Sequence, residues 1–114
     1  MTTLRNSVHL VGRLGNDPEM KNVGEDRKLA RFSLATNDYF RDHKGNQVQD
    51  TQWHNIVAWG KTAEIAEKLL KKGKEAAIVG KLINRSWDDD NGIKHYITEV
   101  VASEIMVFGK ETQQ

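Results

Sequence analysis

Apolar and polar residues alternate at a period of two in five stretches of the chain, and a helical period occurs once. Residues 7–15 put Val8, Leu10 and Leu14 on one side of a predicted strand and His9, Val11 and Arg13 on the other. Gly12 is expected there as a bulge or a point of close approach. Pro18, after Asn16-Asp17, marks a turn. A second strand is predicted over 27–37, where Ala30, Phe32, Leu34 and Thr36 alternate with Leu29, Arg31, Ser33 and Ala35. The polar run 38–50, centred on Lys44-Gly45-Asn46, reads as a long protruding hairpin tip, and a third strand follows over 51–60.

The helical stretch is 61–72, with Ile65, Ala66, Leu69 and Leu70 on one stripe. Thr62 is the expected N-cap, Glu64 lies in the expected first turn, Lys71 and Lys72 in the last, and Gly73 closes the helix. Glu64 to Lys68 and Glu67 to Lys71 are spaced as supporting ion pairs. A fourth strand over 75–87 sends Ala77, Val79, Lys81, Ile83, Arg85 and Trp87 to one face. The run 88–92, ending in Asn91-Gly92, is a hairpin turn, and a fifth strand occupies 94–108.

Three strands, one helix and two further strands, with hairpin connections, are the order of an OB-fold: all-β, a five-stranded Greek-key barrel with one α-helix between strands 3 and 4 and protruding β-hairpins. Glycines at 12, 60 and 80 suit the bends of a small barrel. The expected organisation is one domain over 1–109 and a polar, frayed C-terminus over 110–114.

Composition narrows the classes. The chain has 114 residues, enough for one core and not two. Lys and Arg number 17 against 16 Asp and Glu, so a polyanion site must come from charge segregated onto one face. Without cysteine there is no disulfide framework or thiolate metal site, and no stretch reads as a signal peptide or membrane span. A small intracellular, cytoplasmic domain is expected.

Candidate chemistry lies in four aromatics beside basic residues: Phe40, Trp53, Trp59 and Trp87. Strand alternation sends Trp53, Asn55, Val57 and Trp59 to one face and His54, Ile56 and Ala58 to the other. Flat rings flanked by cations hold bases by stacking and phosphates by charge. Spacing alone leaves Trp53 and Trp59 open to either a buried or a base-stacking role, and Phe40 open to being a surface hydrophobe.

Several segments together carry a resemblance: Val11-Gly12-Arg13-Leu14-Gly15-Asn16-Asp17-Pro18-Glu19, Ser33-Leu34-Ala35-Thr36, Thr51-Gln52-Trp53-His54-Asn55-Ile56-Val57, Trp59-Gly60-Lys61-Thr62-Ala63-Glu64, Gly80-Lys81-Leu82 and Tyr96-Ile97-Thr98-Glu99-Val100-Val101. Through them the chain resembles the bacterial single-stranded DNA-binding proteins along nearly its whole length. The resemblance implies sequence-independent binding of single-stranded DNA in replication, recombination and repair, with Phe40, Trp53, Trp59 and Trp87 as stacking positions. At the first position that family usually has Trp, and at the third often Phe. It also implies a homotetramer, with His54 near a subunit contact, in a bacterial cytoplasm at the nucleoid. The family continues through a Gly/Pro/Gln-rich linker to an acidic tip that recruits replication and repair proteins. The sequence ends at Gln114 without one, so recruitment by such a tip is not expected.

The cations placed along a strand path are Arg5, Arg13, Arg31, Arg41, Lys44, Lys61, Lys81 and Arg85, although each also fits a solvated surface charge. Lys68, Lys71, Lys72 and Lys74 belong to the helix and its exit. The Asp88-Asp89-Asp90 run near His95 suggests a metal-dependent nuclease only in outline, because carboxylates in a turn are usually solvated and no partner carboxylate has the right spacing. The four histidines show no ligand spacing. No enzyme, cofactor or metal is expected. A primosome-restart or RNA-binding OB module is the alternative within the binding class.

Overall fold

The computed structural model describes residues 4–24 and 27–108; the frayed segment expected over 110–114 lies outside them. The elements are β1 (Val8–Leu14), β2 (Glu19–Asn22), β3 (Lys28–Arg41), β4 (Gln47–Trp59), α1 (Gly60–Leu69), β5 (Glu75–Asp88) and β6 (Lys94–Val107). Antiparallel ladders join β1 to β5, β5 to β6, and β3 to β4, while β4 and β6 run parallel at Ile56↔Val100 and Val57↔Val101. The ring closes where Arg13↔Ala35 and Leu14↔Leu34 bring β1 back to β3. These are the five barrel strands and the single helix of an OB-fold, in the order that the hydrophobic pattern predicts.

β2 is an addition to the expected strands. It pairs with β3 from Glu19↔Arg31 to Asn22↔Lys28, on the β3 edge that β1 reaches further along. Its sequence, EMKN, brings only Met20 against the core, so no alternation announces it.

Inward-facing residues of every barrel strand meet in one core that includes Leu14, Phe32, Leu34, Ile56, Ile78 and Val100. Gly12 marks a close approach rather than a bulge, because the β1–β5 register runs through it unbroken. A Cβ on Gly12 would lie 2.0 Å from the Ala35 carbonyl oxygen, so the strands cross there only because position 12 has no side chain. The bulge lies instead at Val79/Gly80, where β6 carries Ser103 as an extra residue.

The helix departs from expectation at both ends. β4 runs directly into it, with Trp59 as N-cap and Gly60 at φ 59°, so Thr62 falls inside the helix and no side chain caps it. Glu64 lies beyond the first turn, and Lys68 is the basic residue of the last turn. Leu70 ends the helix in an extended conformation that buries its side chain. Lys71 and Lys72 therefore lie past the end. Gly73 serves the following turn, where its N–H donates to Leu14 O at 2.9 Å. The buried face is Ala63, Ala66 and Leu70, two of them small enough to seat the helix close against the barrel. Ile65 and Leu69 are 40% and 44% exposed, so the apolar stripe is rotated from the expected one. Glu67 pairs with Lys28 at 3.0 Å, across to β3 rather than along the helix to Lys71.

Both hairpins extend well beyond the barrel. β3 and β4 remain paired to Arg41↔Gln47, so most of the stretch expected as a polar tip is ladder, and only residues 42–46 turn. The two tips share one design. Asp42 N donates to Asn46 O and Gly45 N to Asp42 O; Asp89 N donates to Ile93 O and Gly92 N to Asp89 O. In each, the aspartate's Oδ1 also accepts two backbone N–H groups of its own turn, from Lys44 and Asn46 in one and from Asn91 and Ile93 in the other. The second turn, 89–93, is thus organised by Asp89 and lies one residue further along the chain than the expected run 88–92.

Candidate nucleic-acid interface

The β3–β4 register fixes which side chains share the outer face. Leu29, Arg31, Ser33 and Ala35 stand opposite Trp59, Val57, Asn55 and Trp53, while Phe32, Leu34, Ile56 and Ala58 fill the core. The face predicted from the spacing of Trp53 and Trp59 is therefore the one formed. On it Trp53 is 62% exposed, Asn55 is exposed, Val57 is buried and Trp59 is half-buried. Trp53 rests on the chain leaving β1: a Cβ on Gly15 would lie 2.5 Å from its Cζ3. Position 15 can carry no side chain while the indole lies there. Trp59 lies under the guanidinium of Arg27, at 4.6 Å from the ring centroid.

On the second hairpin Trp87 stands opposite His95, and the two rings stack at 5.4 Å with 21° between their planes. The Arg85 guanidinium approaches the indole to 5.8 Å. His95 is fixed in turn by Asp89, at 2.7 Å from Nε2 to Oδ2. That hydrogen bond, helped by the Ile93 N–H, holds the Asp89 carboxyl below its ordinary range. Both Asp89 oxygens are thus engaged within the hairpin. Among the described residues no group of His, Asp or Glu is placed to hold a metal ion.

Between the hairpins the outer face carries a groove lined by Asn16, Arg31, Ser33, Asn55, Ile97 and Glu99, among others. Asn16 Oδ1 fixes one wall by accepting from Ser33 N at 2.9 Å and Ser33 Oγ at 2.8 Å. Glu99 lies at the floor with 1% of its side chain exposed, and two arginines from different strands cover it. Arg31 Nη1 donates to Oε2 at 2.6 Å; Arg85 Nε donates to Oε1 at 2.9 Å and its Nη2 to Oε2 at 3.1 Å. The hydrogen bonds from Arg85, with those from Arg31, hold the Glu99 carboxyl below the usual carboxylate range against the opposing effect of burial. Glu99 reciprocally raises the Arg85 pKa.

The other sequence-predicted residues are more scattered. Phe40 is 53% exposed but stands opposite Val48, on the hairpin face away from Trp53; Tyr39, 60% exposed, occupies the Trp53 side. Arg41 donates to Gly45 O in its own turn, near Lys44. Arg13 donates to Gly73 O and lies 3.9 Å from Glu75. Arg5, Lys61 and Lys81 are exposed, away from the groove. His54 is half-buried, its Nε2 3.0 Å from Thr36 Oγ1. The structure therefore places Arg31 in the groove, ties Arg85 to it through Glu99, sets Trp53 and Trp87 on the same outer face, leaves Phe40, Arg41 and Lys44 on an extended arm, and adds Glu99, Arg27, His95 and Tyr39. Of these, Glu99 was findable: a turn centred on Asn91 sets it opposite Ile83, one step from Arg85.

A closed five-stranded barrel with one helix, and with indoles and guanidiniums on its outer sheet, belongs to the class of OB-fold domains. The chain belongs to the single-strand binding protein family, whose description matches residues 5–108. It is 46% identical over 105 residues to the "Single-stranded DNA-binding protein 1" of Chlorobaculum tepidum, a match covering 91% of this chain and 65% of that protein. The chain thus spans about two thirds of the length of that curated relative. The Plasmodium falciparum SSB in complex with ssDNA superposes with a TM-score of 0.84 at 33% identity, covering 96% of this chain and 98% of that one. A deletion mutant of the single-stranded DNA binding protein from Thermus aquaticus gives 0.79 at 29% identity, over 91% of this chain and 50% of that one.

Proposed function

We propose that this chain binds single-stranded DNA without sequence preference, protecting exposed strands in replication, recombination and repair, and that it does so without catalysis. The observation that carries this reading is the pair of half-exposed indoles, Trp53 and Trp87, on the outer face that also carries Arg31, which lines the groove, and Arg85, which shares its Glu99 partner. A π-face accepts any base, so stacking supplies affinity without readout, and the arginines supply phosphate contacts. The complex of the Plasmodium relative with ssDNA supports the same ligand for this barrel. Phe40, Trp59, Arg5, Arg13, Arg41, Lys44, Lys61 and Lys81 extend the path along the hairpin arm and barrel rim.

The test is tryptophan fluorescence during titration with poly(dT), poly(U) and duplex DNA. Strong quenching by poly(dT) and weak quenching by duplex is expected. Equal responses would sink the proposal, and preference for poly(U) would favour an RNA-binding module.

Assembly as a homotetramer in the cytoplasm belongs to the same proposal. Val11, 53% exposed, Ala77 and Met106, 62% exposed, stand side by side across β1, β5 and β6 on the outside of the barrel. An apolar row of this kind suits a subunit contact better than water, and His54 is the further contact residue we assign. Among the described residues no helix is long and apolar enough to cross a membrane.

A further inference from the structure

Glu99 is the one charged residue buried among the described residues, 2% exposed, and it faces away from the core. Desolvating a carboxylate is costly unless its partners are well placed, and replacing a buried ionic cluster with apolar residues is often neutral or stabilising. A purely structural need is therefore a weak reason for it. What the carboxylate does geometrically is specific. It gathers arginines from β3 and β5 onto the floor of one groove, taking one N–H from Arg31 and two from Arg85. Each guanidinium has five N–H donors in a rigid plane, so both retain donors after this use. Both remain 41% exposed, Arg31 in the groove lining and Arg85 tied to it through Glu99, whereas the Glu99 side chain is 1% exposed, so an incoming anion meets guanidinium and not carboxylate.

We propose that Glu99 is a positioning residue for strand binding: it fixes Arg31 and Arg85 as a preformed pair that seats one backbone phosphate between the bases stacked on Trp53 and Trp87. This rests on the single-strand binding proposed above and names the phosphate seat within it. An arginine free in solvent loses side-chain freedom when it grips a phosphate; one already held in place loses less. Glu19, at the same groove, is an exposed carboxylate that salt and solvent screen.

The test exploits a conflict between charge and geometry. Two arginines and one glutamate give the cluster a formal charge of +1 (2 − 1), and Glu99→Gln raises it to +2. If charge alone mattered, the variant would bind a fluorescein-labelled oligo(dT) more tightly. Positioning predicts the reverse: affinity about 10-fold weaker in protein shown folded by near-UV circular dichroism, with partial recovery in Glu99→Asp. Folded Glu99→Gln with equal or tighter binding overturns the proposal. If Glu99→Gln does not fold, Arg31→Lys decides. It keeps the charge and loses the planar fork, so weaker binding with an unchanged salt slope upholds the pair, and unchanged affinity overturns it. Wild-type protein that ignores oligo(dT) altogether would instead undo the single-strand binding itself.

Discussion

Hydrogen bonds from Arg85 and Arg31 hold the Glu99 carboxyl below its ordinary range, and this has a consequence for stability as well as binding. Its folded pKa is depressed, chiefly by Arg85, so the unfolded chain takes up the proton first as pH falls. The stability it contributes is complete above the unfolded carboxylate range, near a pH of about 4.3, and is lost as pH drops through the lower folded value. Thermal melts at descending pH are therefore expected to show the difference between wild type and Glu99→Gln shrinking below that point. A difference that stays constant down to strong acid would contradict the assignment. Asp89 is shifted in the same direction, chiefly by His95, and persists in both proteins, so it cancels in the comparison. At this scale the sequence was partly legible. Alternation identified Trp53 and Trp87 as candidates, but it says nothing of what lies beneath a ring, and Gly15 and His95 depend on contacts between distant segments or across a turn. Arg27 over Trp59 is likewise a matter of tertiary approach.

The hairpins extend what their strands began. Cross-strand register makes Trp87 and Tyr96 opposites: Trp87 shares a face with Arg85, and Tyr96, 74% exposed, stands opposite Ser86 on the other. Trp87→Ala is expected to weaken oligo(dT) binding by about 1–3 kcal/mol, the range for removal of a stacking ring in proteins of this kind, while Tyr96→Ala leaves it within error. Equal losses measured by fluorescence anisotropy would mean that the strand does not run along the face assigned here. Neither change touches the core, so melting temperatures are expected to stay close to wild type. The existence of the five barrel strands was readable from periodicity, whereas their ends and the short β2 were not. The arm 38–50 reads as a hairpin tip rather than ladder because both its faces meet water, and a ladder with Phe40–Val48 as its apolar pair leaves no hydrophobic alternation. The helix was mis-bounded for a related reason: Leu70 satisfies the helical stripe but leaves the helix to reach the core.

The barrel's closure was implied by the order of elements, since few topologies accommodate three strands, a helix and a hairpin. Its outer surface was not, because assembly and charge segregation belong to folded surfaces and not to a formal charge of +1. The row of Val11, Ala77 and Met106 gives assembly a direct test. If the proposed tetramer uses this row, Val11→Glu with Met106→Glu is expected to shift sedimentation from the proposed tetramer to smaller species while circular dichroism is unchanged. An unaltered sedimentation coefficient would move the subunit contact elsewhere. Independently, log affinity for oligo(dT) is expected to fall linearly with log salt, at a slope near −0.7 per phosphate neutralised.

The ring of strands is sealed at two places, β1 to β3 and β4 to β6, by two residue pairs each. The ladders beside them are long, and those of the two hairpins join residues near in sequence. Chain entropy therefore separates the steps of folding. Hairpins form early between neighbours, and the seals wait for segments that must find each other across large loops. Refolding is expected to be paced by sealing, with hairpin amides protected from deuterium before that of Gly15, which bonds to Ser33 across the β1–β3 seal.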